Sequence, residues 1–167
     1  NFALYFHAFS GKGLKVLFRD TELGFYVFII MIATLFITAN LLGVGNFKSF
    51  TEAFRHSAFQ VVSIISTTGF STVDFEMWPP FSKMILMILM FVGGCAGSTA
   101  GAIKVGRLLI LIKHGYKEIF QFIYPRAVTL PKIGGSPISQ STLDTVASFF
   151  FLYIATFITG SLIMAGV

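Results

Sequence analysis

Three long uncharged stretches limit what this chain can fold into more than anything else in it. Leu23–Leu42 and Met84–Ile103 are 20 residues each, and Thr145–Val167 is 23. At 1.5 Å per residue a 20-residue helix is about 30 Å long, the thickness of the hydrocarbon core of a bilayer. The composition agrees, with 55% hydrophobic and 11% charged residues, 21 Phe and a mean hydropathy of +0.83. Soluble domains carry about 25% charged residues. The fold class that follows is an all-α membrane protein. The first residue is Asn, no basic leader with a cleavage site is present, and both ends are apolar, so the chain reads as an internal piece of a longer polypeptide.

The charges orient the spans. Lys12, Lys15 and Arg19 precede the first stretch, and Lys104, Arg107, Lys113, Lys117, Arg126 and Lys132 follow the second. Only Lys48, Arg55 and Lys83 lie between them. By the positive-inside rule the larger group is cytoplasmic and residues 46–83 face outward. The net charge of +5 does not suggest nucleic acid, because no basic patch is interleaved with aromatic residues. Cys95 is the one cysteine, which leaves no intramolecular disulfide and no cysteine-rich metal site; a buried small side chain is its expected role.

Between the first two spans, Ser57–Val73 is also uncharged, but its helical character stops near Ser66, where Ser-Thr-Thr-Gly begins. Counted from Ala53, about 14 helical residues give roughly 21 Å, too short to cross a bilayer. A short helix, an extended polar segment and a return loop make a re-entrant hairpin. A helix, a re-entrant half-helix and a second helix form the M1–P-loop–M2 repeat of potassium-channel-like pores, with one further transmembrane helix following. Non-helical backbone at membrane depth is tolerated only where it lines a polar cavity. Carbonyls around Thr67, Thr68, Gly69 and Phe70 can then replace water around a dehydrated cation, with the short helix aiming its negative end at the same point. Gly69 reaches backbone conformations closed to other residues. The alternative is that Ser-Thr-Thr-Gly is only a helix cap before an exposed loop.

The second span ends in Gly93, Gly94, Cys95, Ala96, Gly97, Ser98, Thr99, Ala100, Gly101 and Ala102, with four glycines in ten positions. Each glycine costs a helix about 1 kcal/mol relative to alanine, so the span is readily broken here. Gly93, Gly97 and Gly101 also repeat every four residues, which would suit a helix-packing face if the segment stayed helical. Trp78, Pro79 and Pro80 suit the membrane–water interface and a helix start.

Ser66–Thr72, followed by Asp74 and Trp78-Pro79, and then the string from Phe91 to Lys104, Val105 and Arg107, resembles the third pore repeat of the TrkH/TrkG/KtrB family of potassium transporters. Asn1-Phe2-Ala3 and Arg19-Asp20-x-Glu22 resemble the segment leading into that repeat, and the last helix resembles the first helix of the fourth. Ala102 stands where many relatives carry glycine, a departure that bears on loop flexibility. The resemblance implies a K+ uptake pore in a bacterial inner membrane, multi-pass, with four repeats around a pseudo-fourfold axis. It assigns Gly69 as one of four filter glycines, with K+ held by backbone carbonyls of Thr67, Thr68 and Gly69. It makes Gly93–Gly101 an intramembrane gate loop below the filter. Lys104 and Arg107 then either rest at the cytoplasmic boundary, hold that loop or contact a regulator. The implied partners are the remaining repeats, a second copy in a homodimer and a cytoplasmic nucleotide-binding ring of the TrkA/KtrA kind. This piece alone holds a quarter of a filter, and a single glycine per repeat implies modest selectivity for potassium over sodium.

The expected segments are a cytoplasmic or interfacial lead over 1–22, M1 over 23–45, a pore helix over 52–66 and a filter loop over 67–74. A broken M2 over 80–122 follows, interrupted at 93–102, then a cytoplasmic loop over 123–140 and the next helix over 141–167, with Ser141, Thr142 and Asp144 as its caps. Asp74 and Glu76 are solvated carboxylates or a cation-concentrating mouth. His7, His56 and His114 lie in separate segments with no metal spacing. No nucleophile–base pair or phosphate-binding loop marks an enzyme. The rival to a pore is a non-conducting membrane scaffold in which the glycines only pack helices.

Overall fold

A computed structural model describes residues 20–124, 132–133 and 136–166. Residues 1–19, with Lys12, Lys15, Arg19 and His7, and residues 125–131, with Arg126, lie outside the described residues, as does the side chain of Lys132. Apart from one two-residue pairing and one isolated bridge, the described residues form helices and loops. They fall into two compact units, Asn1–Gly106 and Arg107–Val167.

In the first unit, α1 spans Thr21–Val44, about 36 Å long. Asp20 caps it, its side chain accepting from the amide of Leu23 at 2.7 Å. Gly45, at φ 80°, closes the other end in the left-handed region. Ala33, Thr34, Ile37, Thr38 and Leu41 recur at helical spacing and form the buried stripe, while Phe28, Met31, Leu35 and Phe36 on the other faces are more than half exposed. An apolar outer surface on a helix of this length suits hydrocarbon. The same length and hydropathy criteria also admit α5, Gln140–Ala165.

The short helix α2, Phe50–Ile65, is about 24 Å long and packs on α1. Its buried side is Ala53, Ser57, Gln60, Val61 and Ile64 at spacings of three and four, with Ile65 beside them. It begins two residues before the expected start at 52, with Ser49 at the N-cap position and no side-chain cap bond. After a 3-10 turn over Phe75–Met77, α3 runs from Pro80 to Met90 and packs on both α1 and α2. Ser82 of α3 donates to Asn40 of α1 at 2.8 Å, which pins the start of α3 beside the end of α1. Trp78 is 4% exposed, its ring packed inside the unit.

Non-helical chain from Phe91 to Lys104 separates α3 from α4, Val105–Ile123. The glycine spacing of four therefore makes no helix-packing face, because no helix exists there.

In the second unit, most of α4 is followed by an antiparallel pairing of Lys132–Ile133 with Ser136–Pro137 and then by α5. Ser139 caps α5 by accepting from the amide of Thr142, so the helix starts before Ser141, Thr142 and Asp144, the caps expected from sequence. The Arg107 guanidinium lies 4.1 Å from the centroid of the Phe149 ring.

Candidate functional site

Helix α2 ends in a cap made of threonine. The amide of Thr67 bonds to the carbonyl of Ile64 at 2.9 Å and that of Thr68 to Ser63 at 3.0 Å. These are the paired bonds of a Schellman ending, whose left-handed residue is usually glycine. Here it is Thr67, at φ 57°. A β-branched residue in that region is strained by about 1–3 kcal/mol. Gly69, at φ 79°, is a second and separate left-handed position two residues beyond the cap. The cap reading of Ser-Thr-Thr-Gly is thus half right: a cap is present, but Gly69 is not the residue that makes it.

Beyond Gly69 the chain turns back along α2. Ser63 Oγ donates to the carbonyl of Phe70 at 2.5 Å, and His56 Nδ1 lies 2.9 Å from Thr72 Oγ1. As the loop advances from 70 to 72, its helix partner retreats from 63 to 56, so the segment runs antiparallel to the helix it left. The hydroxyls of Ser66 and Thr68 meet at 2.7 Å. Among the described residues no donor meets the carbonyls of Thr67, Thr68 and Gly69, and all three residues are exposed. The Phe70 carbonyl, by contrast, is held by Ser63, and the Phe70 ring points outward, 70% exposed.

The segment between α3 and α4 has a neck joined by backbone hydrogen bonds and an exposed tip. The amide of Gly93 bonds to the carbonyl of Ile103 at 2.8 Å, Ile103 to Phe91 at 3.1 Å and Val105 to Gly94 at 3.2 Å, with Val92 and Ile103 bridged in parallel. The strands approach so closely that a Cβ on Gly93 would strike the carbonyl oxygen of Gly101. Gly93, Gly94 and Cys95 are buried, whereas Ala96, Gly97, Thr99 and Gly101 are exposed. Ala102, at φ 57°, sits in the left-handed region that glycine adopts at little cost. The departure noted at this position is therefore a matter of local strain.

Polar contacts hold the tip. Lys104 donates to the carbonyls of Ser98 at 2.7 Å and Ala100 at 2.5 Å. Thr67 Oγ1 accepts from the amide of Gly101 at 3.0 Å, which joins the strained turn after α2 to the glycine-rich segment. Of the two basic residues singled out in the sequence, Lys104 meets this segment. Arg107 contacts Phe149.

A third contact was not foreseen. Glu22 Oε1 accepts from the amides of Ala96 at 2.7 Å and Gly106 at 3.1 Å. Glu22 carries no local signal beyond being an acid in the first turn of α1, since its partners are 74 and 84 residues away. Among the described residues no group of three or more His, Cys, Asp or Glu is placed to hold a metal ion.

Comparison with known proteins puts this geometry in context. The family model for TrkH, described as a cation transport protein, matches residues 16–166. The chain is 39% identical over 160 residues to the Trk system potassium uptake protein TrkH of Vibrio parahaemolyticus, covering 95% of this chain and 33% of that protein. It is 36% identical over 153 residues to the Trk system potassium uptake protein TrkG of Escherichia coli K12, covering 92% and 31%. The crystal structure of the potassium transporter TrkH from Vibrio parahaemolyticus superposes with a TM-score of 0.89 at 40% identity, over 95% of this chain and 34% of that one. The chain thus spans about a third of the length of the relatives it matches.

Proposed function

Because the chain belongs to the TrkH family of cation transport proteins, we propose that it forms one ion-selecting hairpin and the gate of a potassium uptake pore. The observation that carries this reading is the antiparallel return of the chain along α2, which leaves the carbonyls of Thr67, Thr68 and Gly69 without donors at the turn. Such oxygens are costly at membrane depth unless water or a cation meets them. A dehydrated K+ exchanges its water shell for carbonyl dipoles of this kind. On this reading α2 is a re-entrant pore helix rather than a span, and the negative dipole of its C-terminal end faces the ion.

A single hairpin supplies only part of a coordination shell, so the remaining oxygens come from the other repeats of the longer polypeptide. Gly93–Gly101 acts as the gate, its neck fixed and its tip held by Lys104 and Thr67. Phe70 contributes shape, since its carbonyl is committed to Ser63. The assembly is a membrane-embedded homodimer whose gate is set by a cytoplasmic nucleotide-binding ring of the TrkA/KtrA kind.

The test is K+ uptake by the full-length protein in a strain lacking its own uptake systems. Wild-type protein restores uptake, and shortening residues 94–100 raises the rate without changing K+/Na+ discrimination. Unchanged flux in the shortened variant removes the gate assignment, and absence of uptake by the wild type removes the whole reading.

A further inference from the structure

We infer that the Glu22 carboxylate is the latch that holds the gate loop to the first helix; this rests on the potassium-pore reading above. Asp20 already caps α1 by accepting from Leu23, so Glu22 is not needed for that task. Its carboxylate is turned onto two amides from the far side of the unit. Gly106 stands in the first turn of α4, where amides have no partner within the helix and the dipole favours an anion. Ala96 stands on the exposed tip of the loop.

The two amides stand differently in the fold. Gly106 follows directly on the neck, whose last bond joins Val105 to Gly94. Ala96 lies outside the neck. The Gly106 bond therefore keeps the carboxylate in place, and the Ala96 bond is the one that breaks when the tip moves. The site is also shaped for this carboxylate, because a Cβ on Gly106 would lie 2.9 Å from Glu22 Oε1. The contact lies at the inner end of α1, 18 residues or about 27 Å along the helix from the Asn40–Ser82 bond that fixes α3. The upper half of the broken helix and the loop below it are thus tied to α1 separately, and the lower tie can release alone.

Glu22 is a positioning residue, and its test reads the loop as well as the flux. The full-length protein is prepared with any cysteine other than Cys95 replaced. Cys95 is 5% exposed and adjoins Ala96, so its modification by a charged thiol reagent reports release of the tip. Glu22→Gln keeps the shape and removes the charge from both bonds. Gly106→Ala keeps the charge and pushes the carboxylate away. Each is expected to raise Cys95 labelling and maximal K+ uptake about fivefold, leaving KM and K+/Na+ discrimination unchanged. Cys95 labelling at the wild-type rate in both variants overturns the latch. Faster labelling with lost discrimination also overturns it, since that marks general loosening. If the wild type imports no K+, the pore reading falls, and the labelling rates still decide whether Glu22 holds the loop.

Discussion

Replacing Gly69 separates backbone conformation from steric fit, because a Cβ built there meets nothing within 4 Å in this chain. Only its φ of 79° resists a side chain. An L-residue held in that region costs about 1–2 kcal/mol, a factor of roughly 5–30 in an equilibrium. Asparagine tolerates the region better than alanine, and a β-branched residue is worst. The series Gly69→Asn, Gly69→Ala and Gly69→Val should therefore lose K+/Na+ discrimination in that order. The mechanism is relaxation of the turn towards negative φ, which swings the carbonyls of Thr68 and Gly69 away from the positions they now share. Initial rates of K+ and Na+ uptake by full-length protein in deficient cells, normalised to the amount in the membrane, give the discrimination ratio. Wild-type discrimination in Gly69→Val would show that the positive φ has no part in selecting the ion.

Two further substitutions act on the glycine-rich segment between α3 and α4. Lys104→Met keeps the aliphatic stem and removes the ammonium from the Ser98 and Ala100 carbonyls, so the tip opens more often and maximal uptake rises several-fold; a rate at or below wild type would assign the lysine to the cytoplasmic boundary alone. Ala102→Gly relieves a left-handed alanine at φ 57°. The relief of about 1–2 kcal/mol exceeds the added freedom of glycine in the unfolded chain, about 0.4–1 kcal/mol, so the thermal midpoint in detergent should rise, and a fall would contradict the strain.

The two long helices were legible because length and apolarity, the properties that make them candidate spans, are local properties of sequence. Leu23–Leu42 lies inside α1 and Thr145–Ala165 inside α5 for that reason. Gly69 stood out because an apolar helix ran into a polar string too soon to cross a bilayer. The ends of elements were less legible. The α5 cap fell to Ser139 rather than Ser141, because several hydroxyls in a row compete for the same amides and only the path of the chain chooses among them.

Long-range polar contacts left no local trace. Nothing in the string Arg-Asp-Thr-Glu tells which acid caps its own helix and which reaches a loop 74 residues away. Likewise, Lys104 and Arg107 look alike in sequence, yet the first bonds to carbonyls of the loop and the second contacts an aromatic ring. By itself the sequence determined that the chain is a set of apolar helices interrupted at two glycine-bearing strings, because apolarity and helix-breaking glycines act residue by residue. Only the tertiary structure decided what those interruptions bond to. A hydrogen bond needs its partners within about 3 Å, and folding brings Thr67 to Gly101 and Glu22 to Ala96 and Gly106 across dozens of intervening residues.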